Sequence, residues 1–181
     1  MAIFKAADIA DFYIQLANGI DDTIDNLKLN KLLYYAQGWS LARGGDPIFS
    51  DEVEAWDYGP VIPDVYRTYK VCGKNPILEP KDHFDESLLS SEQLCLLTDV
   101  YANFGQFTGV YLKELTHRRG TPWSKVYENG KNNLITKEAL KGYFSNNEQP
   151  KSFNIDLDNV EIISAVPEEW DSELDKVYDK A

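Results

Sequence analysis

Leu27-Lys28-Leu29-Asn30-Lys31-Leu32-Leu33-Tyr34-Tyr35-Ala36-Gln37-Gly38-Trp39-Ser40 repeats apolar residues at three- and four-residue intervals, and Gly44-Gly45 closes the run. That spacing predicts a helix from about Leu27 to Arg43, with Leu29, Leu32, Leu33, Ala36 and Ser40 as its buried stripe. Lys28 and Lys31 flank the stripe. The acidic stretch just before it, Asp21-Asp22-Thr23-Ile24-Asp25, suits a helix N-terminus, where carboxylates meet free N–H groups and the positive end of the dipole. A Mg²⁺-binding carboxylate cluster is the competing reading of the same residues.

Working outward, Ile9, Phe12, Tyr13 and Leu16 predict a helix over about Lys5 to Ala17, stopped by Asn18-Gly19. On the other side, Asp51 to Asp57 reads as a short strand, broken by Tyr58-Gly59-Pro60, and Pro63 opens a helix to about Lys70. Ser90 or Ser91 caps a helix through Phe104 with Leu94, Leu97, Val100 and Tyr101 facing inward. Thr108 caps another to His117, with Val110, Tyr111 and Leu115 apolar, and Thr136 caps one over Lys137 to Phe144. Past Gln149, Phe153, Ile155 and Leu157 alternate with polar residues as a half-buried strand does. Val160, Ile162 and Val166 suit a second strand. Pro167 then starts an amphipathic helix carrying Trp170, Leu174, Val177 and Tyr178. The expected fold is mainly helical α+β: a compact helical domain over residues 1–146 with a small antiparallel sheet, and a C-terminal strand–helix extension over 147–181.

Apolar residues make up 43% of the 181-residue chain and aromatics 13%, far too many for a disordered polypeptide. The net charge of −12 and pI near 4.5 set the molecule as a whole against phosphate backbones. Nine acids against three lysines fall between residues 151 and 181, a net of −6. Cys72 and Cys95, 23 residues apart with no CxxC pattern, allow a single disulfide, with buried thiols in a reducing compartment as the favoured reading. No apolar run approaches the ~20 residues needed to span a bilayer, so a cytoplasmic protein without membrane contact is expected.

Catalytic patterns are missing. The sequence holds no phosphate-binding glycine loop, nucleophile elbow or HExxH, and only two histidines, His83 and His117. Glu114 and His117 make a single E-x-x-H, where a carboxylate-bridged metal pair needs two. A partly exposed helix end, with an imidazolium facing the negative dipole, accounts for His117. Glu52 and Glu54 share a strand face without any sign of a cleft around them. The expectation is therefore no enzyme, no metal and no cofactor. A DNA-binding alternative rests on Leu97 to Trp123, two helices around Gly105-Gln106-Phe107, and on Thr108 to Lys125, where Lys113, Arg118, Arg119 and Lys125 stand against one acid, Glu114. Against it, these bases gather at the end of the second helix, whereas base contacts come from its start.

Two stretches carry a resemblance. The first is the Lys-Leu-x-Lys-Leu-Leu-Tyr helix followed by Trp56-Asp57-Tyr58-Gly59-Pro60-Val61-Ile62-Pro63 and Tyr66. The second is Leu112-Lys113-Glu114-Leu115-Thr116-His117 with Pro122-Trp123. Together they resemble the Panacea, or SocA-like, antitoxin domain family, also described as phage-associated GepA-type proteins, over roughly Phe4 to Phe144. The resemblance implies a non-catalytic protein that binds and neutralises a toxin from an adjacent gene, in some cases by delivering it to a protease. A regulator of its own operon and a phage inhibitor of a host protein are the alternatives.

The residues are compatible with partner binding. Pro60 and Pro63 fix φ, so a loop built on them loses little entropy when it binds. Tyr35, Trp39, Trp56, Tyr58 and Tyr66 can surround it, and such aromatics favour interface hot spots. Trp56 and Tyr34 read as core; for Tyr58 and Tyr66 core and surface stand equal. The expected partner-binding set is Lys28, Lys31, Tyr35, Trp39, Tyr58, Gly59, Pro60, Val61, Pro63 and Tyr66, with Trp170, Leu174 and Tyr178 on the C-terminal helix.

Overall fold

A computed structural model describes residues 3–147. Within them lie seven α-helices: α1 (Ala6–Gly19), α2 (Asn26–Arg43), α3 (Pro63–Tyr69), α4 (Ser91–Phe104), α5 (Gly109–His117), α6 (Pro122–Val126) and α7 (Lys137–Ser145). Three short strands, β1 (Val53–Trp56), β2 (Gly59–Val61) and β3 (Asn133–Ile135), form one antiparallel sheet in the order β2-β1-β3. The chain is thus mainly helical α+β. The strands and helix expected beyond Gln149, including Trp170, Leu174 and Tyr178, lie outside the described residues. No described helix is long and apolar enough to cross a membrane.

Helix starts follow local chemistry. The Asp25 carboxylate accepts from the Lys28 amide at 2.6 Å and so caps α2. Ser90, Thr108, Thr121 and Thr136 cap α4, α5, α6 and α7 in the same way. Asp22, the next acid of the cluster, takes the Lys28 ammonium at 3.1 Å and the Tyr101 hydroxyl.

α2 is not a striped surface helix. Every residue from Asn26 to Leu41 is buried, because α1, α4, α5, α7 and the sheet surround it. Most of its polar side chains survive burial by hydrogen-bonding the backbone of neighbouring segments, while the Tyr34 hydroxyl and the Trp39 indole N–H have no partner among the described residues. Asn30 Oδ1 accepts from the Ile62 amide at 2.9 Å, and Asn26 Nδ2 donates to the Tyr66 carbonyl at 3.1 Å. Gln37 Oε1 accepts from the Ile48 amide, while its Nε2 donates to the Phe49 carbonyl at 2.9 Å. Ser40 Oγ donates to the Asp46 carbonyl.

Other expectations need correction. Tyr58-Gly59-Pro60 does not simply end a strand: the chain turns through Asp57-Tyr58 and returns as β2, with Trp56 opposite Gly59 and Ala55 opposite Pro60. Pro60 has no N–H for the ladder, which an edge strand tolerates. In α4, Leu96 rather than Leu94 turns inward, and in α5 Leu112 is the fully buried residue. Cys95 is exposed and Cys72 half-buried, both as free thiols, so neither is the buried core residue expected.

A long segment between α3 and α4 is strapped to α1. Asn18 Nδ2 donates to the Leu78 carbonyl, the buried Asp11 carboxylate accepts from the Lys81 and Asp82 amides, and Gln15 makes a two-way pair with the Phe84 backbone. Phe84 itself packs edge-on against Phe4 and Phe12.

α7 closes the opposite side of α2. The Phe144 ring lies on Gly38, where an added Cβ would sit 2.3 Å from it, and it meets Tyr34, Tyr35 and Trp39 edge-on. Helix propensity favours alanine over glycine by up to about 1 kcal/mol. A contact that short costs more, since overpacking a filled core runs to about 1–3 kcal/mol. Gly38→Ala is therefore expected to destabilise the protein by roughly 1–2 kcal/mol in urea unfolding, despite occupying a helix interior.

Candidate functional site

The two sequence signatures meet at the β1–β2 hairpin, and each residue of its tip has a holder. Gly59 takes φ +97°, a left-handed backbone that glycine adopts freely. Its face is also closed off: an added Cβ would lie 2.8 Å from Thr116 Oγ1 and 2.9 Å from Lys31 Cε. Lys31 Nζ donates to the Pro60 carbonyl at 3.0 Å. Lys113 Nζ sits 5.7 Å from the centre of the Tyr58 ring, a cation–π distance. Trp123 Nε1 donates to the Trp56 carbonyl at 2.8 Å, and the Tyr127 hydroxyl donates to Asp57 at 3.0 Å. α2, α5, α6 and the residue that follows α6, Tyr127, thus hold five consecutive residues of the hairpin from below.

The upper side is aromatic and half-exposed. Trp56 and Tyr66 meet edge-to-face at 5.0 Å, and the Trp56 indole donates to Glu54 at 2.7 Å. Trp56, read from sequence as core, is only half-buried because its strand face looks away from α2. Tyr58 and Tyr66 are half-buried as well, and Pro63 sits between them at the start of α3.

The remaining predicted residues among those described lie inside the protein. Lys31 is 0% exposed, Trp39 4% and Tyr35 8%. Tyr35 stacks on Phe104 at 4.0 Å, and Trp39 packs against Phe144. Val61, Gly59 and Pro60 are buried, while Lys28 is tied to Asp22 and the Thr23 carbonyl. Only Tyr58, Pro63 and Tyr66 of the described set offer surface to a partner; the others shape or support the hairpin.

Four residues outside the predicted set complete the site: Lys113, His117, Trp123 and Tyr127. The signal for Lys113 and His117 was their four-residue spacing on one helix, which places them on one face. His117 stacks on Trp123 at 3.7 Å and 7°, and Trp123 on Tyr127 at 4.4 Å. Burial pushes the imidazole down to about 4, with Lys113 and Lys31 acting the same way and Glu114 opposing. His117 is thus neutral at neutral pH, not the imidazolium expected from the helix dipole. Glu114 pairs with Lys113 at 3.0 Å rather than with His117.

Comparison with known proteins places the chain in a family. Residues 29–124, from α2 through α6, match the family described as antitoxin SocA-like, Panacea domain, and the chain belongs to that family. It is 29% identical to the antitoxin SocA of Caulobacter vibrioides (strain NA1000 / CB15N), over 71% of this chain and 73% of that protein. No solved structure matches.

Lys31 gives the site a pH signature. Burial pushes its ammonium down to about 7, Asp25 pulling it up and Lys113 pushing it further down. An unfolded lysine titrates near 10.4, so between about pH 7 and 10 the unfolded chain holds a proton that the folded chain has released. Stability therefore rises with pH across that window, by up to about 1.4 kcal/mol per unit from this group. Below pH 7 both states are protonated and the contribution is flat. Lys31→Met removes the titration. Urea unfolding of both proteins at pH 7, 8 and 9 is expected to show wild type gaining on the variant at each step; parallel trends would mean that Lys31 stays charged.

Proposed function

We infer that this chain is an antitoxin that neutralises a cognate protein toxin by direct binding, with the hairpin face of Trp56, Tyr58, Pro63 and Tyr66 as its contact surface. The observation that carries this reading is the support under the hairpin. Five tip residues are held by buried or half-buried side chains of α2, α5, α6 and of Tyr127 just after α6, yet Tyr58 and Tyr66 remain half-exposed. A preordered aromatic surface loses little conformational entropy on binding, which is how Tyr and Trp come to dominate interfaces. The antitoxin role is taken from the family and from the C. vibrioides relative. The toxin is the product of an adjacent gene in this reading, and delivery of the bound toxin to a protease is one way to dispose of it. The protein acts as a binding module in the cytoplasm, without catalysis or cofactor.

Regulation of its own operon by DNA binding is less favoured. Gly109 and Val110, at the start of α5, are buried, and Gly109 lies against the first turn of α2. The end of the helix that would enter a groove is covered.

Co-expression of the neighbouring gene with and without this chain tests the reading: the neighbour alone is expected to arrest growth, and the pair to grow and co-purify. Tyr58→Ala and Tyr66→Ala are each expected to weaken the complex about tenfold or more, a hot-spot cost of ~2 kcal/mol, with little change in stability. A harmless neighbour, or a complex indifferent to both substitutions, would overturn it.

A further inference from the structure

Charge around the hairpin is one-sided in a way that its composition hides. The acids at the rim are engaged within the chain: Glu54 by the Trp56 indole, Asp57 by the Tyr127 hydroxyl, Asp64 by Arg67, and Glu128 by Lys131. The bases of the α5–α6 corner are not. Arg118, Arg119 and Lys125 are exposed and form no ion pair among the described residues. Just inside them, Lys113 keeps 12% of its side chain exposed, with Tyr58 above it and an exposed Glu114 as its ion-pair partner. His117 Nε2 is sealed from solvent and has no hydrogen-bond partner among the described residues. An orphaned ring nitrogen of that kind carries a desolvation cost that an incoming polar group can relieve.

We propose that the α5–α6 corner beside the hairpin docks an acidic segment of a partner protein, with one carboxylate held between Lys113 and His117 and its neighbours facing Arg118 and Arg119. This rests on the interaction reading given above and names the chemistry of the partner. Tyr58 keeps its place over the Lys113 ammonium, and a carboxylate reaching that ammonium replaces the exposed Glu114. Tyr58 then borders the docked segment, so the aromatic face and the basic corner form one surface. A nucleic acid fits the corner less well. Four bases are a small footprint on a chain of net charge −12, and duplex binding gains its affinity from many phosphate contacts.

The test uses the full chain and a fluorescein-labelled peptide of alternating Glu and Tyr, with a Lys/Tyr peptide and duplex DNA as counter-probes. The Glu/Tyr peptide is expected to bind, more weakly as salt is added, and the Lys/Tyr peptide not to bind. Arg118→Glu combined with Arg119→Glu changes only exposed side chains and is expected to cost tenfold or more in affinity. His117→Phe keeps a ring on Trp123 while removing the unpartnered nitrogen; it is expected to lower affinity several-fold while stability to unfolding holds or rises. In NMR, the His117 imidazole signals should move on saturation while those of His83, the other histidine, stay put. Preference for DNA, equal binding of both peptides, an unaffected Arg118/Arg119 variant or a silent His117 would each overturn the proposal. Carried into co-expression, the Arg118/Arg119 variant separates the two readings. A toxin still bound at full strength removes the basic corner and leaves the antitoxin assignment standing.

Discussion

A helix surrounded by protein on every side cannot turn its polar groups to solvent. α2 satisfies its amide, amine and serine side chains by fastening the loops around it, leaving only the Tyr34 hydroxyl and the Trp39 indole N–H without a partner among the described residues. Lys28 holds the turn before the helix, and Ser40 holds the turn after it. Gln37 holds the chain ahead of the sheet, Lys31 the hairpin, and Asn30 and Asn26 the start and body of α3. Each bond is modest in net terms, about 1 kcal/mol, but leaving any of these buried groups unpaired costs more than the bond itself contributes. The positions of the loops are therefore tied to one another through a single rod. The hairpin is rigid because the element under it has no freedom of its own.

That arrangement also explains which parts of the fold could be read from the sequence. Helix starts were legible because a cap is local: Asp25, Ser90, Thr108 and Thr136 each bond an amide three residues on. The long helices were legible from their apolar period. β2 and β3, three residues each, are too short to show a period, and Pro60 disguises β2 as a break. The burial of α2 on all sides was hidden for another reason. Asn30, Lys31 and Gln37 look like a solvent face, and their partners are backbone atoms 11 to 32 residues away that no pattern announces.

The site divides along the same line. Tyr58, Pro63 and Tyr66 were visible as a stiff aromatic turn, and the second signature, with Lys113, His117 and Trp123, was visible as a separate stretch. Their meeting was not. It depends on α5 packing beside α2, which brings Thr116 and Lys113 under Gly59 and Tyr58 from more than 50 positions along the chain. The aromatics assigned to binding from residue type alone split on the same ground. Tyr35 and Trp39 sit on a helix with no outer face, whereas Tyr58 and Tyr66 sit on a hairpin and a short helix at the edge.

The strap along α1 has a consequence for how this chain can change. Asp11, Gln15 and Asn18 grip the segment from Leu78 to Phe84 almost wholly by its main-chain N–H and C=O groups, so they are indifferent to which side chains it carries. Only Phe84 is read as a residue. Relatives can thus rewrite the surface chemistry of this stretch, charge and size included, while its path across the protein stays the same. The instruction for its path lies in the helix that does the holding, and the strip it holds is a blank page open to other side chains.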